Sequence, residues 1–133
     1  MLWHLTGDPR HRGVAEEILT TFAGEARANP AAHATLYLAA GLLEDALQVV
    51  VIGDGTTPGS AELWASAVRA APPHGILRRV GSGDTLPPGH PAAGKRLLGG
   101  RAAAYVCAGA VCEAPITEPA ILRERLLRPR SAV

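Results

Sequence analysis

Apolar positions in the first segment recur every four residues. Val14, Ile18, Phe22 and Ala26, flanked by Ala15, Leu19 and Ala23, form a stripe of helical period. It follows Asp8-Pro9, which supplies an N-cap and a proline at the first helical position. Asn29-Pro30 ends this helix. A second helix is expected from about Ala31 to Ala46, with Leu36, Leu38, Ala39, Leu42, Leu43 and Ala46. It is apolar on most faces and calls for cover on more than one side, which a single partner helix does not supply.

The pattern then changes period. Gln48-Val49-Val50-Val51-Ile52 is a continuous run ended by Gly53-Asp54-Gly55, the signature of a buried strand. Thr57, Pro58 and Ser60 offer a cap and first turn for a helix bearing Ala61, Leu63, Trp64, Ala67, Val68 and Ala71, stopped by Pro72-Pro73. Ile76–Val80 reads as a second strand, completing a strand–helix–strand unit that should be parallel and right-handed. Residues 81–100, rich in Gly and Pro, read as a long surface loop. Ala103–Cys107 and Val111–Ala114 flank Gly109-Ala110, and glycine at the first central position suits a type II′ hairpin. That turn makes Ala108 and Val111 a hydrogen-bonded pair. Cys107 and Cys112 become the next, non-hydrogen-bonded pair, where side chains come closest. Thr117 is expected to cap a last helix with Ile121, Leu122, Leu126 and Leu127 facing inward. The predicted fold is α/β: a small mixed four-stranded sheet with flanking helices over 47–133, preceded by an αα-hairpin over 1–46.

Composition narrows the class. The chain has 133 residues, 47% of them hydrophobic, and a net charge of +1, which excludes a disordered tail. Yet 25 residues are alanine and only five are aromatic, so few large anchors remain for a core. The longest apolar run, Leu36–Leu43, is far short of a bilayer span. The first eight residues lack the basic and apolar regions of a secretory signal. No membrane association is expected, and the expected location is the cytoplasm. Charge is uneven: residues 1–66 carry −5 and residues 67–133 carry +6. Much of the excess, Arg123, Arg125, Arg128 and Arg130, lies on or after the last helix, where cations complement the helix dipole. No aromatic side chains accompany them for stacking, so no nucleic-acid partner is expected.

Candidate chemistry is sparse. Cys107 and Cys112, facing each other across a hairpin, suit either a reversible disulfide or two small apolar side chains packed on one sheet face. Their spacing is C-x4-C, not C-x-x-C, and no helix start follows the first of them to lower its pKa. His4, His11, His33, His74 and His90 show no zinc-ligand spacing, so no metal is expected. Gly53, Asp54, Gly55, Thr56, Thr57 and Ser60 follow a strand and precede a helix, where open α/β sheets bind anions. Pro58 stands where a third glycine belongs and no P-loop lysine follows. The segment is therefore either a small-anion or nucleotide site or a tight βα turn. Glu16-Glu17 and Glu44-Asp45 are adjacent on helices and point to different faces, so neither forms an acid–base couple. No catalytic residue and no cofactor is expected.

Gly100-Arg101-Ala102-Ala103-Ala104-Tyr105-Val106-Cys107 and Cys112-Glu113-Ala114-Pro115-Ile116-Thr117 resemble the C-terminal signature of the thioredoxin-domain-containing, spermatogenesis-associated thioredoxin-like family. Val49–Asp54 and Leu5–Asp8 follow the same order. The resemblance implies a larger parent: a thioredoxin-like domain, an (α/α) barrel similar to N-acylglucosamine 2-epimerase and six-hairpin glycosidases, then this α/β segment. Residues 1–46 would be the end of that barrel. The implied role is a non-catalytic accessory module of a carbohydrate-related protein, partnered by the barrel or by self-association. A redox-responsive module and an anion-binding module are the alternatives.

Overall fold

The structure, a computed structural model, describes residues 1–81, 83–109 and 111–128. Three helices come first: α1 (Leu2–Thr6), α2 (Pro9–Ala28) and α3 (Ala34–Glu44). Then follow β1 (Leu47–Ile52), α4 (Ser60–Ala70), β2 (Gly75–Val80), β3 (Ala103–Ala108), β4 (Val111–Cys112) and α5 (Pro119–Leu127). The four strands form one mixed sheet in the order β2-β1-β3-β4, with β1 parallel to β2 and antiparallel to β3. The α/β fold is as the residue pattern predicts.

The run from Leu47 to Ile52 is buried at every position because both faces of β1 are covered. On one face Leu47, Val49 and Val51 meet Ala104 and Val106 from β3, with Leu63 and Ala67 of α4 and Leu122 and Leu126 of α5 packed over them. Ser66 fixes the two covering helices together by donating to the Pro119 carbonyl at 2.7 Å. On the other face Val50 and Ile52 meet Ala103, Tyr105 and Cys107. Among the described residues no long helix covers that side. The 81–100 segment does so instead, burying Ala92 fully and packing Leu86 against the cluster. The segment is a surface loop over most of its length, as it reads, with Ala92 and Leu86 turned inward against the sheet. Small residues such as Ala92 and Ala103 let irregular backbone approach a sheet closely, and periodicity carries no trace of that.

Several elements differ from expectation, among them β4, which ends at Cys112 rather than Ala114, and the second helix, which ends at Glu44 rather than Ala46. Residues 2–6 form α1, closed by Gly7 in the left-handed region at φ 69° and lodged against Pro87 and Pro88. The second helix of the expected hairpin starts at Ala34, because residues 30–33 form a turn in which the Asn29 side chain accepts from the Ala32 N–H. Gly59, at φ 80°, rather than Thr57, caps α4. Glu118, rather than Thr117, precedes α5, whose side chains Ile121 and Leu127 are exposed while Leu122 and Leu126 are buried. The Asp8 cap of α2 is as expected, its carboxylate accepting from the Arg10 N–H at 2.9 Å.

α1 belongs with the sheet: Arg78 of β2 donates to the Leu5 carbonyl at 3.2 Å. α2 and α3 hold to each other, with the Tyr37 hydroxyl donating to the Ala26 carbonyl at 3.1 Å. Their outer side is bare. Val14, Ile18 and Phe22 of α2 are 57%, 47% and 42% exposed, although their spacing predicts a buried stripe. Tyr37 and Leu38 of α3 are also exposed.

Candidate functional sites

The hairpin places its cysteines as the spacing predicts. Ala108 pairs with Val111 and Cys107 with Cys112, and the ladder continues through the Glu113 N–H donating to the Val106 carbonyl. Gly109 has φ 56°, the positive φ such a turn requires, while Ala110 lies outside the described residues. The two sulfurs are joined as a disulfide, with the Cα atoms 3.9 Å apart. Cys107 is fully buried in the second core cluster and Cys112 is half-buried at its edge. The pair therefore packs on the sheet face and is covalently linked as well. The Cys112 sulfur lies 3.2 Å from the Pro91 carbonyl oxygen.

The 53–60 segment is a tight βα turn closed on itself. Asp54 Oδ1 accepts from the Thr56 and Thr57 N–H groups at 3.0 and 3.1 Å and from both threonine hydroxyls. These bonds, led by the Thr56 hydroxyl, lower the Asp54 pKa to about 2. The donors that would cradle an anion already hold a carboxylate from the same loop. Gly53 has φ 138°, and a Cβ there would stand 3.0 Å from that of Ala102. Its carbonyl accepts from the buried Ser60 hydroxyl at 2.9 Å and from Arg79 Nε at 3.2 Å, and Arg79 also donates to Ser60 at 2.8 Å. Gly55 makes no close approach to other elements.

Much of the C-terminal basic excess is engaged internally. Arg78 and Arg79 hold backbone, Arg125 pairs with Glu113, and Arg128 pairs with Glu124. Arg130 lies outside the described residues. Among the described residues no cluster of three His, Cys, Asp or Glu side chains could hold a metal, and no helix is long and apolar enough to cross a membrane.

A further site joins segments that are remote in sequence. A cavity of about 290 Å³ lies between α1, the end of α3, the start of β1 and the 87–91 stretch. Trp3, His4, Gln48, Pro87, His90 and Pro91 are among its walls, with Arg12 and Glu44 beside them. His4 Nε2 sits 2.7 Å from the Leu42 carbonyl, so it carries the proton and donates. His90 Nδ1 accepts from the Ala92 N–H at 3.1 Å. Burial lowers the pKa of both imidazoles, helped at His90 by the Arg78 charge. Burial thus favours the neutral form of both rings.

Gln48 is the anomaly of this site. It is buried in the central strand, and its Oε1 has no hydrogen-bond partner among the described residues. An unmet buried acceptor costs about 1–3 kcal/mol. Its polar side chain inside the Leu47–Ile52 run was the one sequence signal for this site. Nothing in the chain order links it to His4 or His90.

Comparison of the chain with family models, with curated proteins and with solved structures finds no match in any of the three.

Proposed function

We propose that this protein is a non-catalytic accessory module whose α2–α3 face docks against helices of a larger thioredoxin-domain-containing, epimerase-like barrel protein. The observation that carries this reading is the stripe Val14, Ile18 and Phe22, helically spaced yet left in solvent. An apolar stripe at that period is ordinarily the face a helix buries, and contiguous exposed apolar surface ordinarily marks an interaction site. The apolar character of Leu36–Leu43 and the Tyr-Val-Cys and Cys-x-Ala-Pro blocks of the hairpin support the same reading. A carbohydrate-related role for the parent follows from the resemblance alone.

The experiment is sedimentation of the isolated chain with an apolar-surface dye. Self-association or strong dye binding is the expected result. A clean monomer that binds little dye overturns the proposal.

A second reading, a redox-responsive module, is favoured by the Cys107–Cys112 bond. We place the protein in the cytoplasm, where structural disulfides are rare and those that form are mostly catalytic or redox-sensing. Two-electron reduction by a dithiol would give two thiols, and the Cys112 thiol would then have the Pro91 carbonyl as an acceptor. Thiol counting with and without reductant tests this. Two free thiols persisting under a mild oxidant, with unchanged stability, would exclude it.

A further inference from the structure

We propose that the outer edge of β2 takes up an extended segment of an acidic partner protein as a fifth strand, with consecutive carboxylates of that segment opposite Arg78 and Arg79. The inference does not depend on docking at the α2–α3 face.

The backbone hydrogen bonds leave this edge open. β2 is the outermost strand on its side of the sheet. The Leu47 N–H donates to the His74 carbonyl, and the Gly53 N–H donates to the Val80 carbonyl. In a parallel ladder this alternation turns the backbone groups of Ile76, Arg78 and Val80 toward β1. Leu77 and Arg79 therefore direct their N–H and carbonyl groups away from the sheet. Those four groups have no backbone partner among the described residues. Leu77 and Arg79 are also partly exposed, whereas every position of β1 is buried. A row of unpaired backbone donors and acceptors is a template for a further strand. β4, at the opposite edge, is only two residues long.

Charge selects the occupant. Arg78 lies opposite Val50 and Arg79 opposite Val51, so the two side chains leave β2 on opposite faces of the sheet. Arg78 donates to the Leu5 carbonyl, and Arg79 donates to the Gly53 carbonyl and the Ser60 hydroxyl. All three acceptors are neutral. Among the described residues no carboxylate forms an ion pair with either arginine. One unmatched positive charge thus flanks the edge on each face. A second copy pairing antiparallel about Arg78 would set arginine against arginine, which is unfavourable. Neighbouring residues of an added strand point to opposite faces, so two consecutive Asp or Glu residues meet both charges at once.

The test follows the backbone amides of the whole chain by NMR. In the free chain the Leu77 and Arg79 N–H groups should exchange about a hundredfold faster than those of Ile76, Arg78 and Val80. The probe is a capped hexapeptide of valine and threonine with two adjacent glutamates at its centre, and its control carries lysines in their place. The glutamate peptide should shift the Leu77 and Arg79 amides saturably, slow their exchange, and bind about tenfold more tightly than the lysine peptide. No saturable shift at millimolar peptide overturns the proposal, and so does equal binding of the two peptides. Protection of Leu77 and Arg79 in the free chain also overturns it. Protection that grows with protein concentration would give the edge to a second copy, and constant protection would show it covered within the chain.

Discussion

Gln48 of β1 stands directly opposite Cys107 of β3 in the antiparallel register, so an amide whose oxygen has no partner among the described residues and a disulfide share one face of the sheet. α1 and the 81–100 segment cover that face. It is the more polar and less regular side of the core, and it carries the cavity.

Replacing Gln48 with an apolar residue of similar size removes the unmet acceptor. Gln48→Leu is expected to leave the free protein as stable as before or up to about 2 kcal/mol more stable. A rise in the urea midpoint at constant slope is the expected readout. A loss above about 1 kcal/mol would mean that the amide is satisfied in solution.

The disulfide closes a short loop, with its cysteines five residues apart. Chain entropy then assigns it a stabilisation on the order of 2 kcal/mol. Cys107→Ala combined with Cys112→Ala should stay folded, with a loss of about that size plus the packing lost at buried Cys107. A far-ultraviolet spectrum of an unfolded chain would show that the bond carries much more than its loop length allows.

Asp54 predicts a pH dependence. Its folded pKa, about 2, lies below the ordinary 3.8, so the unfolded chain binds the proton more readily. Its contribution is present above pH 3.8 and is lost as pH falls toward 2. Asp8, also lowered to about 2 by its bonds to Arg10, acts in the same window. The stability gap between the wild type and Asp54→Ala should therefore narrow between pH 4 and 2. A gap independent of pH would show that the lost loop geometry, and not the charge, is what matters.

At Gly53 the backbone conformation and the crowding by Ala102 and Thr57 act together. Gly53→Ala is expected to cost about 1–3 kcal/mol, with hydrogen-exchange protection lost first at the end of β1. An unchanged thermal midpoint would contradict the crowded geometry.

The sheet was legible because Leu47–Ile52 and Ala103–Ala108 are short, mainly apolar runs each ended by a glycine, and the hairpin register followed from the position of Gly109. That Cys107 and Cys112 face each other was legible for the same reason, while the bond between them was one of two readings left open. The covering loop was not, since Ala92 and Leu86 are held by tertiary contact and have no period. The fate of Val14, Ile18 and Phe22 was not legible either. Periodicity shows which side of a helix is apolar but not whether anything lies against it. The cavity depends on His4, Gln48 and His90 meeting across the fold, which no local pattern records.

The most direct test of the docking account is the double substitution Ile18→Glu and Phe22→Glu. If that face is open in the isolated chain, folding stability should change by no more than about 0.5 kcal/mol. Self-association and dye binding should fall away together. A loss of more than about 2 kcal/mol, from a starting chain that is already monomeric, would show the stripe buried within the chain and would contradict the account.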